Sequence, residues 1–246
     1  MAATFLNGDG WRARIGIVVP SVNTVMEPWA QRTVPEGISL HFARMFIPDR
    51  LARETLIEMD RNEGMAGIRQ LASVRPHAIA YGCTASSIVQ GVAYDRHLRL
   101  EIEEACKTPA TTAAHAILQA VCAFGARKVA VVSPYTDEVA AAEHKFFSEA
   151  GLEVLGEAHL GVSDGFLLAE PEPAALFQLG MKGWSAGADA LIISCLNTRS
   201  HTVIAALEQA IGKPVITSTQ ATLWHALRLA GVKDAIPGYG RLLQEH

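Results

Sequence analysis

Two cysteines occupy matching positions at the ends of apolar segments. Cys83 follows Ala-Ile-Ala-Tyr-Gly, and Cys195 follows Ala-Leu-Ile-Ile-Ser. Small polar residues come directly after Cys83, as at the start of a helix, whose backbone amides lower the pKa of a thiol. We expect the same setting for Cys195. Two such thiolates on one substrate could add to a planar carbon centre or move a proton across it. Cys106 and Cys122 lie in helical patterns and are predicted to be structural.

No pattern in the sequence is typical of a metal or cofactor site. None of the four cysteines belongs to a C-x-x-C pair, and no cluster of histidines stands near them. A glycine-rich phosphate loop is also missing. We therefore expect no metal and no cofactor, and free thiols in a reducing compartment.

The overall composition gives no sign of a nucleic-acid or membrane partner. The 246 residues carry a formal net charge of −4, without a run of basic residues, so nothing favours nucleic acid. No apolar stretch reaches the roughly 18 residues that a membrane span needs. The N-terminal residues lack the basic start and long apolar core of a signal peptide. We predict a cytoplasmic protein with no nucleic-acid or membrane partner.

Short apolar runs alternate with longer helical patterns along the chain. We predict strands at 15–19, 38–45, 77–81, 128–133, 153–159, 190–194 and 215–217. Helices are predicted at 25–33, 54–73, 95–106, 112–124, 137–150, 173–186, 202–211 and 220–230. This alternation indicates an α/β protein with largely parallel sheets.

The two halves of the chain repeat each other. Residues 14–20 match 128–134, residues 76–83 match 188–195, and the segment around Pro109 matches that around Pro214. The repeat predicts two pseudo-symmetric, flavodoxin-like lobes: 1–112 with 219–246, whose C-terminal helix returns to the first lobe, and 113–218. Ligands of parallel sheets bind beyond the carboxyl ends of the strands. We therefore expect the site between the lobes, with Cys83 and Cys195 on opposite sides of the ligand.

Several short motifs resemble the aspartate/glutamate racemase superfamily. They are Pro20-Ser-Val-Asn23-Thr24, Tyr81-Gly-Cys83-Thr84-Ala85-Ser86, Ser194-Cys195, the segment from Pro214 to Gly231, and Gly238-Tyr239-Gly240-Arg241. Within it, the chain is most similar to the maleate cis–trans isomerase and arylmalonate decarboxylase branch, over nearly its whole length from Arg14. The resemblance implies two racemase-like lobes around the site, with no metal, pyridoxal phosphate or nucleotide.

The resemblance also implies roles for individual residues. Cys83 matches the cysteine that attacks the double bond of maleate, and Cys195 matches the partner that handles the proton. Asn23 matches a contact to a substrate carboxylate, and Tyr135 a tyrosine that closes over the substrate. The other predicted substrate-binding residues are Ser21, Thr84, Ala85, Leu196 and Asn197.

Two segments depart from the maleate isomerase pattern. The first is Leu160-Gly-Val-Ser163-Asp164-Gly, where those enzymes have an asparagine, and the second is Leu196-Asn197-Thr198-Arg199. The predicted function is a cofactor-independent isomerase of a small carboxylate, most like maleate to fumarate, and acting as a homodimer or larger homo-oligomer. The alternatives are a decarboxylase of the arylmalonate type, a two-thiol racemase, and a binding protein without catalysis. Arylmalonate decarboxylases typically keep only the second cysteine, so the presence of both favours isomerisation or racemisation.

Overall fold

In the part of the chain that the structure describes, eight parallel strands form two separate four-stranded sheets. The computed structural model describes residues 9–48 and 50–246. In the first sheet the order is β2-β1-β3-β4, and in the second it is β6-β5-β7-β8. The strands are β1 (Ala13–Pro20), β2 (Ile38–Met45), β3 (Ala78–Tyr81), β4 (Ala110–Thr112), β5 (Lys128–Ser133), β6 (Glu153–His159), β7 (Ala190–Ile193) and β8 (Val215–Thr217).

The two strand orders correspond one to one, which confirms the predicted α/β fold with duplicated parallel-sheet halves. β1 corresponds to β5 and β3 to β7, as the sequence repeat predicts. The central strands β3 and β7 are buried along their whole length. Helices on both faces of each sheet account for that burial, as in other parallel sheets.

Helices connect the strands and cover the sheets. They are α1 (Met26–Thr33), α2 (Arg53–Met59), α3 (Met65–Ala72), α4 (Thr84–Gln90), α5 (Val92–Cys106), α6 (Ala113–Ala123), α7 (Asp137–Glu149), α8 (Pro173–Gly183), α9 (Ile204–Ile211), α10 (Ser218–Leu229) and α11 (Arg241–Glu245). A π-helical turn, Asp60–Gly64, joins α2 to α3. No helix in the described residues is long and apolar enough to cross a membrane.

Two helices connect the halves of the molecule. α6 follows β4 of the first sheet and packs against α10, which follows β8 of the second. α10 also contacts β3 and β4. One hydrophobic core therefore includes residues from both sheets, such as Ile17 of β1 and Val131 of β5. The predicted lobe boundaries stay a prediction.

Candidate active site

A single cavity lies at the carboxyl ends of the strands and contains both predicted catalytic cysteines. Its empty space is about 390 Å³. The lining residues come from loops of both halves: Pro20, Val22, Asn23, Ile47, Leu51, Leu56, Gly82, Cys83, Thr84, Ala85, Tyr135, Gly165, Leu168, Cys195, Leu196 and Asn197. The site therefore lies where the position of ligands in parallel sheets predicts it.

Cys83 is the residue that directly precedes helix α4. Its side chain is buried, and burial together with the negative charge of Asp60 raises the pKa of the thiol to about 12. The predicted lowering of this pKa is therefore wrong, because loss of hydration outweighs the helix amides.

The residue before Cys83 must be glycine for the halves to meet. A Cβ on Gly82 would lie 2.7 Å from the carbonyl oxygen of Val18 and 2.8 Å from the side chain of Leu196. Leu196 belongs to the loop of the second cysteine. Gly82 thus allows the two cysteine loops to approach each other closely.

Cys195 follows strand β7 and has an unusual backbone conformation. Its φ is +94°, in a region that residues with a side chain rarely adopt. Burial raises the pKa of its thiol, while hydrogen bonding with Thr198 and Tyr135 acts in the opposite direction. The surrounding structure therefore holds this thiol in a fixed orientation next to Tyr135.

Ser218 connects the two cysteine loops, and the sequence analysis missed it. Its Oγ accepts hydrogen bonds from the backbone amide of Cys195 at 3.0 Å and from Oγ1 of Thr84 at 3.0 Å. Ser218 begins α10 directly after β8. It lies at the same sheet edge as Cys195, so the rule that identified the cysteines could also have found it.

Asn23 and Ser21 follow β1, but only Asn23 lines the cavity. Its Oδ1 accepts hydrogen bonds from the amides of Val25 and Met26, at 3.1 and 2.9 Å. Its Nδ2 has no partner in the described part of the chain and can donate to a substrate carboxylate. Ser21 is not among the lining residues, and its hydroxyl accepts from the amide of the lining residue Ile47 at 3.2 Å, so its contact to a substrate stays a prediction.

Asn197 lines the cavity, yet its amide group is already used. Its Oδ1 accepts from the amide of Thr24 at 2.9 Å, and its Nδ2 donates to the carbonyls of Val22 and Gly165 at 3.3 and 3.0 Å. These bonds hold loops from both halves together. The side chain of Asn197 therefore holds the cavity wall in place, while its backbone amide faces the Cys195 sulfur, and its predicted contact to the substrate stays a prediction.

The remaining predicted contacts all line the cavity. Tyr135 is buried, and burial raises the pKa of its hydroxyl well above the usual value, so it stays a neutral hydrogen-bond donor. Thr84 donates its hydroxyl to Ser218, which leaves its backbone amide for a ligand. Ala85 and Leu196 add apolar surface.

Comparison with known proteins identifies the family. A family model described as arylmalonate decarboxylase matches residues 15–243. The chain belongs to this family. The maleate isomerase of Pseudomonas putida is 28% identical over 243 residues, which cover 94% of this chain and 96% of that protein. The arylmalonate decarboxylase of Bordetella bronchiseptica is 28% identical over 233 residues, 92% of this chain and 97% of that protein.

A solved structure shows the same similarity. The maleate isomerase Iso from Pseudomonas putida S16 has a TM-score of 0.89 at 27% identity, over 95% of this chain and 98% of that chain. This match confirms the resemblance of this member of the arylmalonate decarboxylase family to maleate isomerases.

In this family member a buried carboxyl group lies beneath the Cys83 loop. Asp60 accepts hydrogen bonds from Nε2 of Gln90 at 2.7 Å, from the hydroxyl of Tyr94 at 3.0 Å and from the hydroxyl of Tyr81. Burial raises its pKa. The sequence analysis missed Asp60, since a single acidic residue within a helical pattern gives no signal of its burial.

One wall of the cavity is apolar. Val22, Ile47, Leu51, Leu56 and Leu168 form it, and no cationic side chain of the described residues lines the cavity. The amide of Leu51 donates to the carbonyl of Ser163 at 2.8 Å, which joins the loop after β2 to the loop after β6. No group of three or more His, Cys, Asp or Glu residues suited to a metal ion occurs in the described structure.

Proposed function

We propose that this protein is a cofactor-independent isomerase that converts maleate, or a close unsaturated dicarboxylate, to its trans isomer. The observation that supports this most strongly is that Cys83 and Cys195 line the same cavity from corresponding loops of the two halves. A mechanism with one thiol needs no such pair. The similarity to maleate isomerases over nearly the whole chain supports the same substrate class.

The proposed reaction is addition, rotation and elimination. Cys83 gives up its proton to solvent, and its sulfur attacks one alkene carbon while the π electrons move to the neighbouring carbon and its carboxylate. Cys195 donates a proton to that carbon, and the new single bond rotates. Cys195 then removes a proton from the same carbon, the double bond reforms, and the C–S bond breaks to release the trans product.

The charge that develops during this reaction needs hydrogen-bond donors at the cavity wall. Nδ2 of Asn23 and the backbone amide of Thr84 serve there, while the Tyr135 hydroxyl bonds to Cys195 and stabilises its thiolate. Donors held in a buried site stabilise an enediolate more than water does, because they need not reorient. Since both thiols have raised pKa values, the substrate meets neutral thiols, and loss of the Cys83 proton is part of the barrier.

A second candidate is a decarboxylase of the arylmalonate type. The apolar wall and the lack of a cationic lining residue favour a substrate with one large apolar substituent. In that reaction CO₂ leaves and Cys195 protonates the resulting enediolate, so Cys83 has no required role. A two-thiol racemase would use both cysteines for proton transfer without C–S bond formation.

Proton NMR on the purified protein distinguishes these reactions. With maleate we expect the fumarate signal to grow, and with phenylmalonate we expect no formation of phenylacetate. Decarboxylation of phenylmalonate without turnover of maleate would support the second candidate instead. Exchange of the α-proton of a chiral carboxylate in D₂O, with no turnover of maleate and no decarboxylation of phenylmalonate, would support the racemase. The cytoplasmic location and the homo-oligomeric state stay predictions of the sequence.

A further inference from the structure

A second buried carboxyl group lies behind the other cysteine. Glu143 of α7 is 2% exposed, and its carboxyl group is close to the hydroxyls of Ser133 and Ser194. Ser194 directly precedes Cys195, and Ser133 is two residues before Tyr135. Neither hydroxyl oxygen, nor Oε1 of Glu143, makes a hydrogen bond of normal geometry in the described residues. Three buried polar atoms without partners at the ends of β5 and β7 call for an explanation.

A cavity next to Glu143 connects this cluster to the surface. Its empty space is about 470 Å³, and Ser133, Glu143 and Glu157 are among its lining residues. Asp137 and His159 also line it and are hydrogen-bonded to each other at 2.9 Å, and the Asp137 side chain is 95% exposed. The cavity is therefore open to solvent and carries ionisable groups at its mouth, so water can exchange protons with the buried carboxyl group.

The charge on Glu143 acts on the catalytic residues. Burial and the nearby charge of Glu157 raise its pKa to about 7, which allows it to titrate near neutral pH. Its negative charge raises the pKa of both Cys195 and Tyr135.

The other titratable groups near Glu143 lie on α7 and β6. On α7 they are Asp137, Glu138, His144, Lys145 and Glu149, and on β6 they are Glu153, Glu157 and His159. His144 and Glu157 bond to each other at 2.7 Å. Helix α4, which packs against α7, carries no titratable side chain. Glu143 is therefore the buried acidic group of α7 whose charge can change at neutral pH next to Cys195.

We propose that Glu143 is a positioning residue whose buried carboxyl group exchanges its proton through this cavity and so controls the ionisation of Cys195. While Glu143 is protonated, the Cys195 thiolate forms more easily. Once Glu143 is ionised, the two like charges repel each other and Cys195 is kept as a thiol, the form that donates a proton. The role in catalysis rests on the proposed function, whereas the electrostatic coupling does not.

The test is the rate of iodoacetamide alkylation at Cys195, measured by peptide mass spectrometry from about pH 6 to about pH 9. In the wild-type protein we expect a shoulder near pH 7, since ionisation of Glu143 opposes thiolate formation. Glu143→Gln should remove the shoulder and increase the rate at about pH 8 by about tenfold, which corresponds to one pKa unit. Glu143→Asp should keep the shoulder.

The matched control is Glu138→Gln, an exposed carboxylate on the same helix, which should follow the wild-type profile. A wild-type profile of unit slope without a shoulder would overturn the proposal even if Glu143→Gln did not fold. Parallel wild-type and Glu143→Gln profiles would overturn it as well. Because alkylation needs no substrate, a failure of the maleate assay together with the expected profiles would reject only the proposed function.

Discussion

At the scale of single residues, Cys83 and Cys195 are held in a cavity where a thiolate would lose most of its hydration. Both thiols have raised pKa values, although Cys83 directly precedes a helix. The cost of burying an anion is larger than the gain from a few backbone amides, particularly when a carboxyl group such as Asp60 is near. Reactivity therefore requires a substrate that is bound close to the sulfur and can accept electrons.

The first prediction concerns the two cysteines as a unit. Cys83→Ala and Cys195→Ala should each lower kcat for maleate by about three orders of magnitude, and the double variant should be scarcely slower, because groups that act together are not additive. Mass spectrometry of Cys195→Ala with substrate should detect an adduct on Cys83. Cys122→Ala, at an exposed position outside the cavity, is the control. Near-normal turnover by Cys83→Ala would contradict the addition mechanism.

The second prediction concerns the pH dependence of Cys83. With a pKa of about 12, its thiolate fraction is far from saturation at neutral pH. Alkylation of Cys83 in the ligand-free protein should therefore rise by about tenfold per pH unit between about pH 7 and pH 9. Cys122 is exposed and should react faster at neutral pH. A Cys83 rate that levels off below about pH 8 would show that the thiol is activated after all.

The residues that could be predicted from the sequence share one property. Cys83, Cys195 and Tyr135 directly follow apolar strands or a short turn after them, so their position at the sheet edge follows from the strand pattern alone. Asp60 and Glu143 lie within helical patterns, where the sequence does not show which side chains the sheet covers. Their burial depends on tertiary packing, and they were missed for that reason.

At the scale of elements, the longest helical pattern contains a feature that periodicity did not indicate. Residues 54–73 are predicted as one helix, and the structure has α2, a π-helical turn and α3 in their place. A π-helical turn adds one residue to the helix and shifts the faces that follow it. The turn begins at Asp60, which is turned inward toward Tyr81 and Tyr94.

Two short elements were also absent from the sequence-based prediction. β4 has three residues, and it forms by pairing with β3, which lies about 30 residues earlier in the chain. α4 has seven residues and is rich in Ser and Ala. Neither has an apolar run like that of β8, which also has three residues. The seven predicted strands at 15–19, 38–45, 77–81, 128–133, 153–159, 190–194 and 215–217 all occur in the structure, with ends shifted by at most two residues.

The third prediction concerns the first residue of α10. Ser218→Ala removes the acceptor for the Cys195 amide and the Thr84 hydroxyl. Each cysteine loop therefore loses a hydrogen bond that holds it in position. We expect the free energy of unfolding to fall by about 1–3 kcal/mol. We also expect kcat to fall by about tenfold or more, since small displacements of catalytic groups are costly.

Urea denaturation and steady-state kinetics measure the two effects separately. Ser218→Thr keeps an acceptor oxygen and should recover most of the activity. Ser73→Ala removes an exposed hydroxyl that donates to the carbonyl of Gln70, and it serves as the control. A loss of stability with unchanged kcat would mean that Ser218 supports the fold only.

At the scale of the whole molecule, the repeat in the sequence predicted the arrangement of the sheets better than it predicted the site. Matching strands place Cys83 and Cys195 at corresponding positions, so the pair follows from the duplication. The halves differ in what lies behind each cysteine: Asp60 in the first half, on a helix after β2, and Glu143 in the second, on a helix after β5. These carboxyl groups are not related by the repeat, and no comparison of the halves could reveal them.

The last prediction concerns the stability of the whole protein as the pH changes. The pKa of Glu143 is raised from 4.5 to about 7 in the folded state. A carboxyl group whose pKa is raised on folding favours the folded state while it is protonated, and this stabilisation is lost as the pH rises from the unfolded to the folded pKa. The loss between about pH 4.5 and about pH 7 amounts to about 3 kcal/mol for a shift of this size.

Urea denaturation across this pH range measures the effect as a difference between two proteins. Because Gln does not titrate, the free energy of unfolding of Glu143→Gln should rise relative to that of the wild type by about 3 kcal/mol as the pH increases through this range. All other titrating groups are shared and cancel in the difference. Glu138→Gln should show no comparable change, since Glu138 is an exposed carboxylate of the same helix. If the curves of the wild type and Glu143→Gln run parallel, Glu143 does not change its charge near neutral pH, and it could not control Cys195 either.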